Sequence, residues 1–163
     1  MRMRRLALGG MIAAAYAALT VLLAPISYGP IQLRISEALT LLPFYFPEAV
    51  PGLFIGCLVA NFLGGYGILD VIVGSSATLL AACLTRRAPN LPLAALPPIV
   101  ANMLLVGTML HFLTGAPFLF TVLYVGCGEA GACCFLGVPL MLIMEKRGLL
   151  KRSQDFWGRR NGA

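Results

Sequence analysis

The sequence predicts an all-α integral membrane protein with six transmembrane helices and both termini in the cytoplasm. The composition is 60% hydrophobic and 11% charged, with a mean hydropathy of +0.90. A soluble domain carries about 25% charged residues, so this chain lacks the polar surface to be one. All but Arg34 of the twelve Lys and Arg residues lie in three clusters, 2–5, 86–87 and 146–160. This pattern is typical of basic cytoplasmic loops in a multi-pass protein. We place the spans at residues 6–24, 31–46, 49–65, 68–85, 93–113 and 118–144 within one membrane domain, 1–145, followed by a basic cytoplasmic tail, 146–163.

The first span is a retained helix rather than a secretory signal, because its apolar run exceeds the roughly 7–15 residues of a signal peptide. Small residues recur on it every fourth position, as Ala13 with Ala17 and as Ala14 with Ala18. Such spacing lets another helix approach closely. Two interpretations remain open: packing within the same bundle, or docking of a separate membrane protein.

The second span is short and irregular, since it follows the turn Tyr28–Gly29–Pro30 and is broken by Pro43 and Pro47. The positions of the basic clusters require this second span to cross the membrane. With the N-terminus inside, six spans place Arg86–Arg87 and the tail inside as well, whereas five would place both outside.

The third and fourth spans contribute small and polar residues. In the third, Gly52, Gly56, Ala60 and Gly64 repeat every four residues, which favours packing inside the bundle. Asn61 on the third span and Asp70 at the start of the fourth lie toward the outer half of the membrane. Asp70 suits either a helix N-terminus, where a negative charge is favoured, or the wall of a binding pocket.

Asn102 and Glu129 are the strongest candidates for a binding site. A charge at the centre of a transmembrane helix costs roughly 2.5–3.5 kcal/mol, so Glu129 needs a compensating partner. The last two spans form an antiparallel hairpin that turns between Gly115 and Ala116, and both polar residues are equally far from this turn. We therefore expect them at the same depth, either binding a ligand or satisfying each other.

A lid is predicted between the first two spans, in the first half of the stretch Pro25–Glu48. Arg34 and Glu37 lie in this stretch at a spacing of three residues, which permits an ion pair on a helix. The pair is a candidate for substrate contact or for fixing the loop. The lone His111 faces away from Asn102 on the same helix and is left out of the site.

Several chemistries are excluded by the sequence. There is no GxxxxGK[ST] phosphate loop and no HExxH zinc motif. The five cysteines lie in apolar runs and are interpreted as small buried thiols. No basic stripe interleaved with aromatic residues suggests nucleic-acid binding. We expect no metal, no cofactor and no enzymatic activity.

Four stretches carry a resemblance to a known family: PISYGPIQLRISEALTLLPFYFPEAVPGLFIGCLVAN, GILDVIVGSSATLLAA, LPPIVANMLLVG and VGCGEA. Over about residues 10–145 the chain resembles the queuosine-precursor transporter (QueT) family, substrate-binding S-components of energy-coupling factor (ECF) transporters in the cell membrane. The resemblance implies a six-helix S-component that captures a 7-deazaguanine base from outside. It also implies a transmembrane coupling subunit, which the alanine pairs of the first span would face, and two ATPase subunits that drive toppling of the loaded subunit. Residues 27–36 and 64–67 match the lids of such subunits.

The resemblance also gives roles to the candidate residues. Glu129 would accept the adjacent N–H donors of the base, and Asn102 would donate to its carbonyl group. Glu37 or Asp70 would pair with an aminomethyl cation, and Arg34 and Asn61 complete the predicted substrate-binding set. The alternatives are an S-component for another vitamin, an ion-coupled secondary carrier with Glu129 as its ion site, and an assembly subunit without a ligand.

Overall fold

The computed structural model describes residues 2–27, 34–64 and 67–150, and every regular element among them is helical. Parts of the two predicted lids (28–33 and 65–66) and most of the predicted tail (151–163) lie outside the described residues. The elements in chain order are α1 (Arg2–Leu22), α2 (Ala24–Ser27), a 3₁₀ helix (Ile35–Phe44), α3 (Ala49–Gly64), α4 (Ile68–Thr85), α5 (Leu91–Ala94), α6 (Leu96–Thr114), α7 (Phe118–Ala130), a π-helix (Gly131–Gly137) and α8 (Val138–Lys146).

Four stretches within these ranges are long and apolar enough to cross a membrane: Met3–Leu22, Ile68–Thr85, Leu91–Thr114 and Phe118–Lys146. Ile35–Phe44 and Ala49–Gly64 are shorter apolar helices. Large side chains on the long helices face outward, as for Phe112 and Phe135, each 79% exposed. An apolar exterior of this kind suits lipid rather than water. The prediction of an all-α membrane protein is confirmed.

Helices α1 and α3 pack side by side along a seam of small residues. A Cβ built on Gly52 would lie 2.6 Å from the Gly9 carbonyl oxygen, and one built on Gly56 would lie 2.7 Å from that of Ala13. The contact advances by four residues on both helices in the same direction, so the two helices run parallel. The prediction that the glycines of the third span pack inside the bundle is confirmed for these two positions.

This packing divides the alanine pairs of α1. Ala13 contacts Gly56, and Ala17 packs against the buried core, whereas Ala14 and Ala18 are exposed. Ala13 and Ala17 thus lie on the side of α1 that faces α3 and the core, and Ala14 and Ala18 are the pair that α1 leaves exposed. The docking of a separate subunit on this helix stays a prediction.

The second predicted span is a 3₁₀ helix rather than an α-helix. Since α1 and α3 are parallel, the chain between them must return along their length. Ten residues at the 3₁₀ rise of about 2.0 Å cover about 20 Å. Pro43 lies inside this helix and lacks the N–H that an α-helix would need. Eight of the ten residues are buried, so neighbouring helices surround the segment.

Candidate functional site

The six residues predicted to bind substrate are all buried in the interior of the helical bundle. The 3₁₀ helix carries Glu37, with Arg34 just before it, and the other four lie on four different α-helices. Exposed fractions are 5% for Arg34, 1% for Glu37, 0% for Asn61, 2% for Asp70, 4% for Asn102 and 4% for Glu129. Buried charges need partners or a ligand, so the contacts of each side chain decide what the cluster can do.

The α6–α7 hairpin brings Asn102 to the depth of Glu129. A Cβ on Gly107 would lie 2.8 Å from Val122 Cα, and one on Gly126 would lie 2.8 Å from Met103 Sδ. The residue number falls by four on α6 as it rises by four on α7, which is the register of an antiparallel pair. This register places the amide of Asn102 beside the Glu129 carboxyl group, as the spacing predicts.

The same amide also lies beside Glu37, so two carboxyl groups flank Asn102. Among the described residues, Glu37 Oε2 and Glu129 Oε2 are buried without a hydrogen-bond partner. An unsatisfied buried polar atom costs about 1–3 kcal/mol, and more when it is charged. A ligand with N–H donors would satisfy these two oxygens, which lie together on either side of Asn102. Asp70 Oδ2 is also buried without a partner among the described residues, but it lies in the separate group around Arg34. We call Glu37, Asn102 and Glu129 the carboxylate pocket.

Tyr16 holds the other oxygen of Glu37. Its side chain is fully buried on α1, and its hydroxyl donates a hydrogen bond to Glu37 Oε1. Thr20, one turn further along α1, donates to the Tyr16 carbonyl at 2.8 Å and lies 2.6 Å from the Ser36 hydroxyl. Sequence reasoning missed Tyr16. A hydroxyl in an apolar span needs a partner just as an amide does, so the argument that singled out Asn102 applies to it as well.

Arg34 forms a second polar group with Asn61 and Asp70. Its Nη1 donates to Asn61 Oδ1 at 3.0 Å, and its Nη2 lies 3.7 Å from Asp70 Oδ1. Asn61 Nδ2 donates to the Asp70 carbonyl at 3.1 Å. The structure thus pairs Arg34 with Asp70 rather than with Glu37. The helical spacing of three residues does not apply because Arg34 precedes the 3₁₀ helix in extended conformation (φ −88°, ψ 101°).

Two cysteines border these groups. Cys57 Sγ accepts from Thr78 Oγ1 at 3.2 Å and from Asn61 Nδ2 at 3.4 Å, and Cys133 Sγ lies 3.7 Å from the Glu37 carbonyl. Cys57 and Cys133 are buried, as predicted, but Cys83, Cys127 and Cys134 are exposed. For these three the prediction is wrong, because an apolar run in a membrane helix has a lipid-facing side as well as a core side.

A π-helix begins two residues after Glu129, where the sequence predicts a continuous α-helix. Gly137, at its end, packs closely against the 3₁₀ helix: a Cβ there would lie 2.8 Å from Leu41 Cδ1 and 3.1 Å from the Ala38 carbonyl oxygen. π-Helical turns occur mostly within α-helices and often at functional sites. This turn seats the polypeptide that follows Glu129 against the element that carries Glu37.

Two other polar residues have separate partners outside the cluster. His111 Nδ1 lies 2.6 Å from the Ala116 carbonyl oxygen, in the turn between α6 and α7. Glu48 pairs with Arg5 at 3.2 Å, at the end of the bundle where α1 and α3 begin.

Comparison with known proteins identifies the family. The sequence model of the family described as "QueT transporter" matches residues 6–146. A relative from Lactococcus lactis subsp. cremoris (strain MG1363), named "Queuosine precursor transporter QueT", is 44% identical over 71 residues, which cover 42% of this chain and 41% of the relative. No solved structure matches. Since the family match spans most of its length, the chain belongs to the QueT transporter family.

Proposed function

We propose that this chain is the substrate-capturing subunit of an ECF-type importer, and that it binds a queuosine precursor, a 7-deazaguanine base, in the carboxylate pocket. The observation that carries the proposal is the pair of buried carboxyl groups on either side of Asn102, each with one oxygen lacking a partner in the described chain. The name of the Lactococcus relative gives the class of substrate.

The chemistry of the base complements that of the pocket. One edge of a deazaguanine presents two adjacent N–H donors beside a carbonyl oxygen. In this proposal the Asn102 amide, which lies beside both carboxyl groups in the described structure, turns to donate to the carbonyl of the base. Both oxygens of an ionised Glu129 are then available to accept from the two N–H donors. Glu37 is anchored by Tyr16 through one oxygen, which leaves the other to accept from the ligand. A substituent with a positive charge, such as an aminomethyl group, would compensate this second carboxylate.

The packing supports six spans with both termini on one side. Because α1 and α3 are parallel, the 3₁₀ helix must return between them. The 3₁₀ helix and α3 are then two short spans in addition to the four long ones. The Arg5–Glu48 ion pair and the hydrogen bond from Tyr45 to Glu145, 3.1 Å long, join the start of α1, the end of the 3₁₀ helix and the end of α8. The basic residues at this end of the bundle favour a cytoplasmic location for it.

In this proposal partner subunits hydrolyse the ATP that drives transport, because the sequence has no phosphate-binding loop of its own. The exposed row Gly10, Ala14 and Ala18 on α1 is the surface that we assign to the coupling subunit, and a Cβ on Gly10 would meet no atom within 4 Å. Two ATPase subunits would then drive toppling of the loaded subunit across the membrane.

Calorimetry on the purified chain in detergent tests the binding site. We expect one deazaguanine to bind in preference to guanine, riboflavin and biotin. Glu129→Gln should weaken this binding about 100-fold, since the amide replaces one acceptor with a donor and removes the charge. The matched control is Glu48→Gln, which changes a carboxylate that lies outside the cluster. Equal affinity of Glu129→Gln and the parent, with both folded, would overturn the assignment.

An ion-coupled carrier is the second candidate, because two adjacent buried carboxyl groups also suit a proton or cation. A carrier of this kind would not need the ATPase subunits for uptake, whereas an ECF importer would. Uptake of the base in cells without the ATPase subunits would favour the carrier, and loss of uptake there would favour the ECF importer.

A further inference from the structure

A groove of about 520 Å³ runs along the outside of the bundle, between the C-terminal half of α4 and the α5–α6 segment. Its walls are apolar, with Leu80 and Leu84 on α4 and Val100 and Leu104 on α6, each 43–49% exposed. Among the described residues that line it, Arg87 is the only charged one, and it lies just past the end of α4. The groove is thus an apolar channel with a guanidinium group at one end.

The order of the lining residues gives the groove a direction. The lining on this side runs from Leu80 on α4 to Arg87 just past its end, and at about 1.5 Å per residue this covers about 10 Å. The chain reverses through α5, so Leu104 lies toward the inner end and Leu93 toward the end with Arg87. Thr85 Oγ1 donates to the Ala94 carbonyl at 3.0 Å, which fixes α5 against the end of α4.

We propose that this groove binds an acyl chain of an anionic phospholipid, whose phosphate pairs with Arg87. Charge complementarity supports this occupant. In the part of the chain that the structure describes, no acidic residue lines the groove, and Arg87 is exposed and forms no ion pair. Basic pockets between membrane helices on the cytoplasmic side commonly hold anionic headgroups.

The size of the groove also favours lipid over a partner helix. Its volume lies within the range of small-molecule sites, about 300–1,000 Å³. The groove is only about two helical turns long. A transmembrane helix is about 30 Å long, so only about a third of it would lie in the groove. A flexible acyl chain fits a short channel, and its headgroup then lies at the mouth where Arg87 is.

Binding of such a lipid stabilises the folded chain by mass action, which gives the test. The full chain is purified, stripped of lipid in neutral detergent and melted with phosphatidylglycerol or with phosphatidylcholine of the same acyl chains. We expect the concentration needed for half-maximal stabilisation to be about fivefold lower for phosphatidylglycerol. Arg87→Gln should abolish this preference. Arg86→Gln, which removes an exposed neighbouring charge that does not line the groove, should retain it.

A second variant separates the groove from its charge. Val100→Trp fills the channel and should lower the response to both lipids while Arg87 remains. Equal stabilisation of the parent by the two lipids would overturn the proposal, as would equal effects of Arg86→Gln and Arg87→Gln, which indicate a diffuse positive surface. Stabilisation by inorganic phosphate to the same extent would also overturn it, since the acyl chain would then contribute nothing.

Discussion

Gly52→Ala tests the parallel packing of α1 and α3. The Cβ that this substitution adds would lie 2.6 Å from the Gly9 carbonyl oxygen and 3.3 Å from Gly9 Cα. Both contacts are with the backbone, which cannot rotate away as a side chain does. The two helices must therefore separate or tilt to admit one methyl group.

The size of the effect follows from the cost of overpacking, about 1–3 kcal/mol. For a chain of this size each kcal/mol lowers the melting temperature by about 2–4 °C. Alanine also stabilises a helix relative to glycine, by about 1 kcal/mol, and this gain partly offsets the clash. The control is Gly10→Ala, which adds the same helix propensity without the steric clash. Gly10 is exposed, and a Cβ added there would have no neighbour within 4 Å.

The assay is thermal unfolding of both variants in the same detergent. We expect Gly52→Ala to melt about 2–12 °C below Gly10→Ala. Identical melting temperatures would refute the packing of α1 against α3. The seam also bears on function, since a Cβ on Gly56 would lie 3.0 Å from the Cβ of Tyr16, the residue that holds Glu37.

Three further predictions concern the polar groups and the exposed face of α1. Arg34→Gln should destabilise the fold by about 3–5 kcal/mol in chemical unfolding, because Asp70 is left as a buried unpaired charge, and adding Asp70→Asn should restore much of the loss. Tyr16→Phe should weaken binding of the base about tenfold by calorimetry through loss of the hydrogen bond to Glu37; Tyr124→Phe, on a partly exposed tyrosine, is the control, and equal affinities would refute the role of Tyr16. Ala14→Leu should reduce co-purification with the coupling subunit while leaving binding of the base unchanged, and a complex that forms normally would contradict the docking assignment.

The sequence predicts the bounds of α4 because the residues at its two ends are distinctive. The predicted span 68–85 has the same bounds as α4, between a glycine turn and Arg86–Arg87. Asn102 and Glu129 are brought together as predicted, since a hairpin with a defined turn fixes the relative depth of its two arms. These inferences need only chain length, turn residues and the cost of burying a charge.

Other features depend on contacts that hydrophobic periodicity does not encode. The run 31–46 predicts a span, but whether it forms an α-helix or a 3₁₀ helix depends on the distance that it must cover between α1 and α3. The π-helix after Glu129 ends at Gly137, which packs closely against Leu41 in a segment distant in sequence, and a local pattern does not encode such a contact. Likewise Arg34 pairs with Asp70 because the third and fourth spans meet beside it, which a local rule based on spacing cannot capture.

The 3₁₀ helix links its two ends over a greater distance than an α-helix of the same ten residues would. Were the same ten residues α-helical, they would be shorter by about a quarter, since the rise per residue is about 1.5 Å instead of 2.0 Å. The longer form has poorer hydrogen-bond geometry. Side-chain contacts hold both of its ends, since Arg34 donates to Asn61 at one end and Tyr45 donates to Glu145 at the other. If the two ends moved closer together and three residues became α-helical, the segment would shorten by about 1.5 Å, and Glu37 would rotate relative to Tyr16. The contact between Glu37 and Tyr16 therefore depends on the distance between the two ends of the 3₁₀ helix.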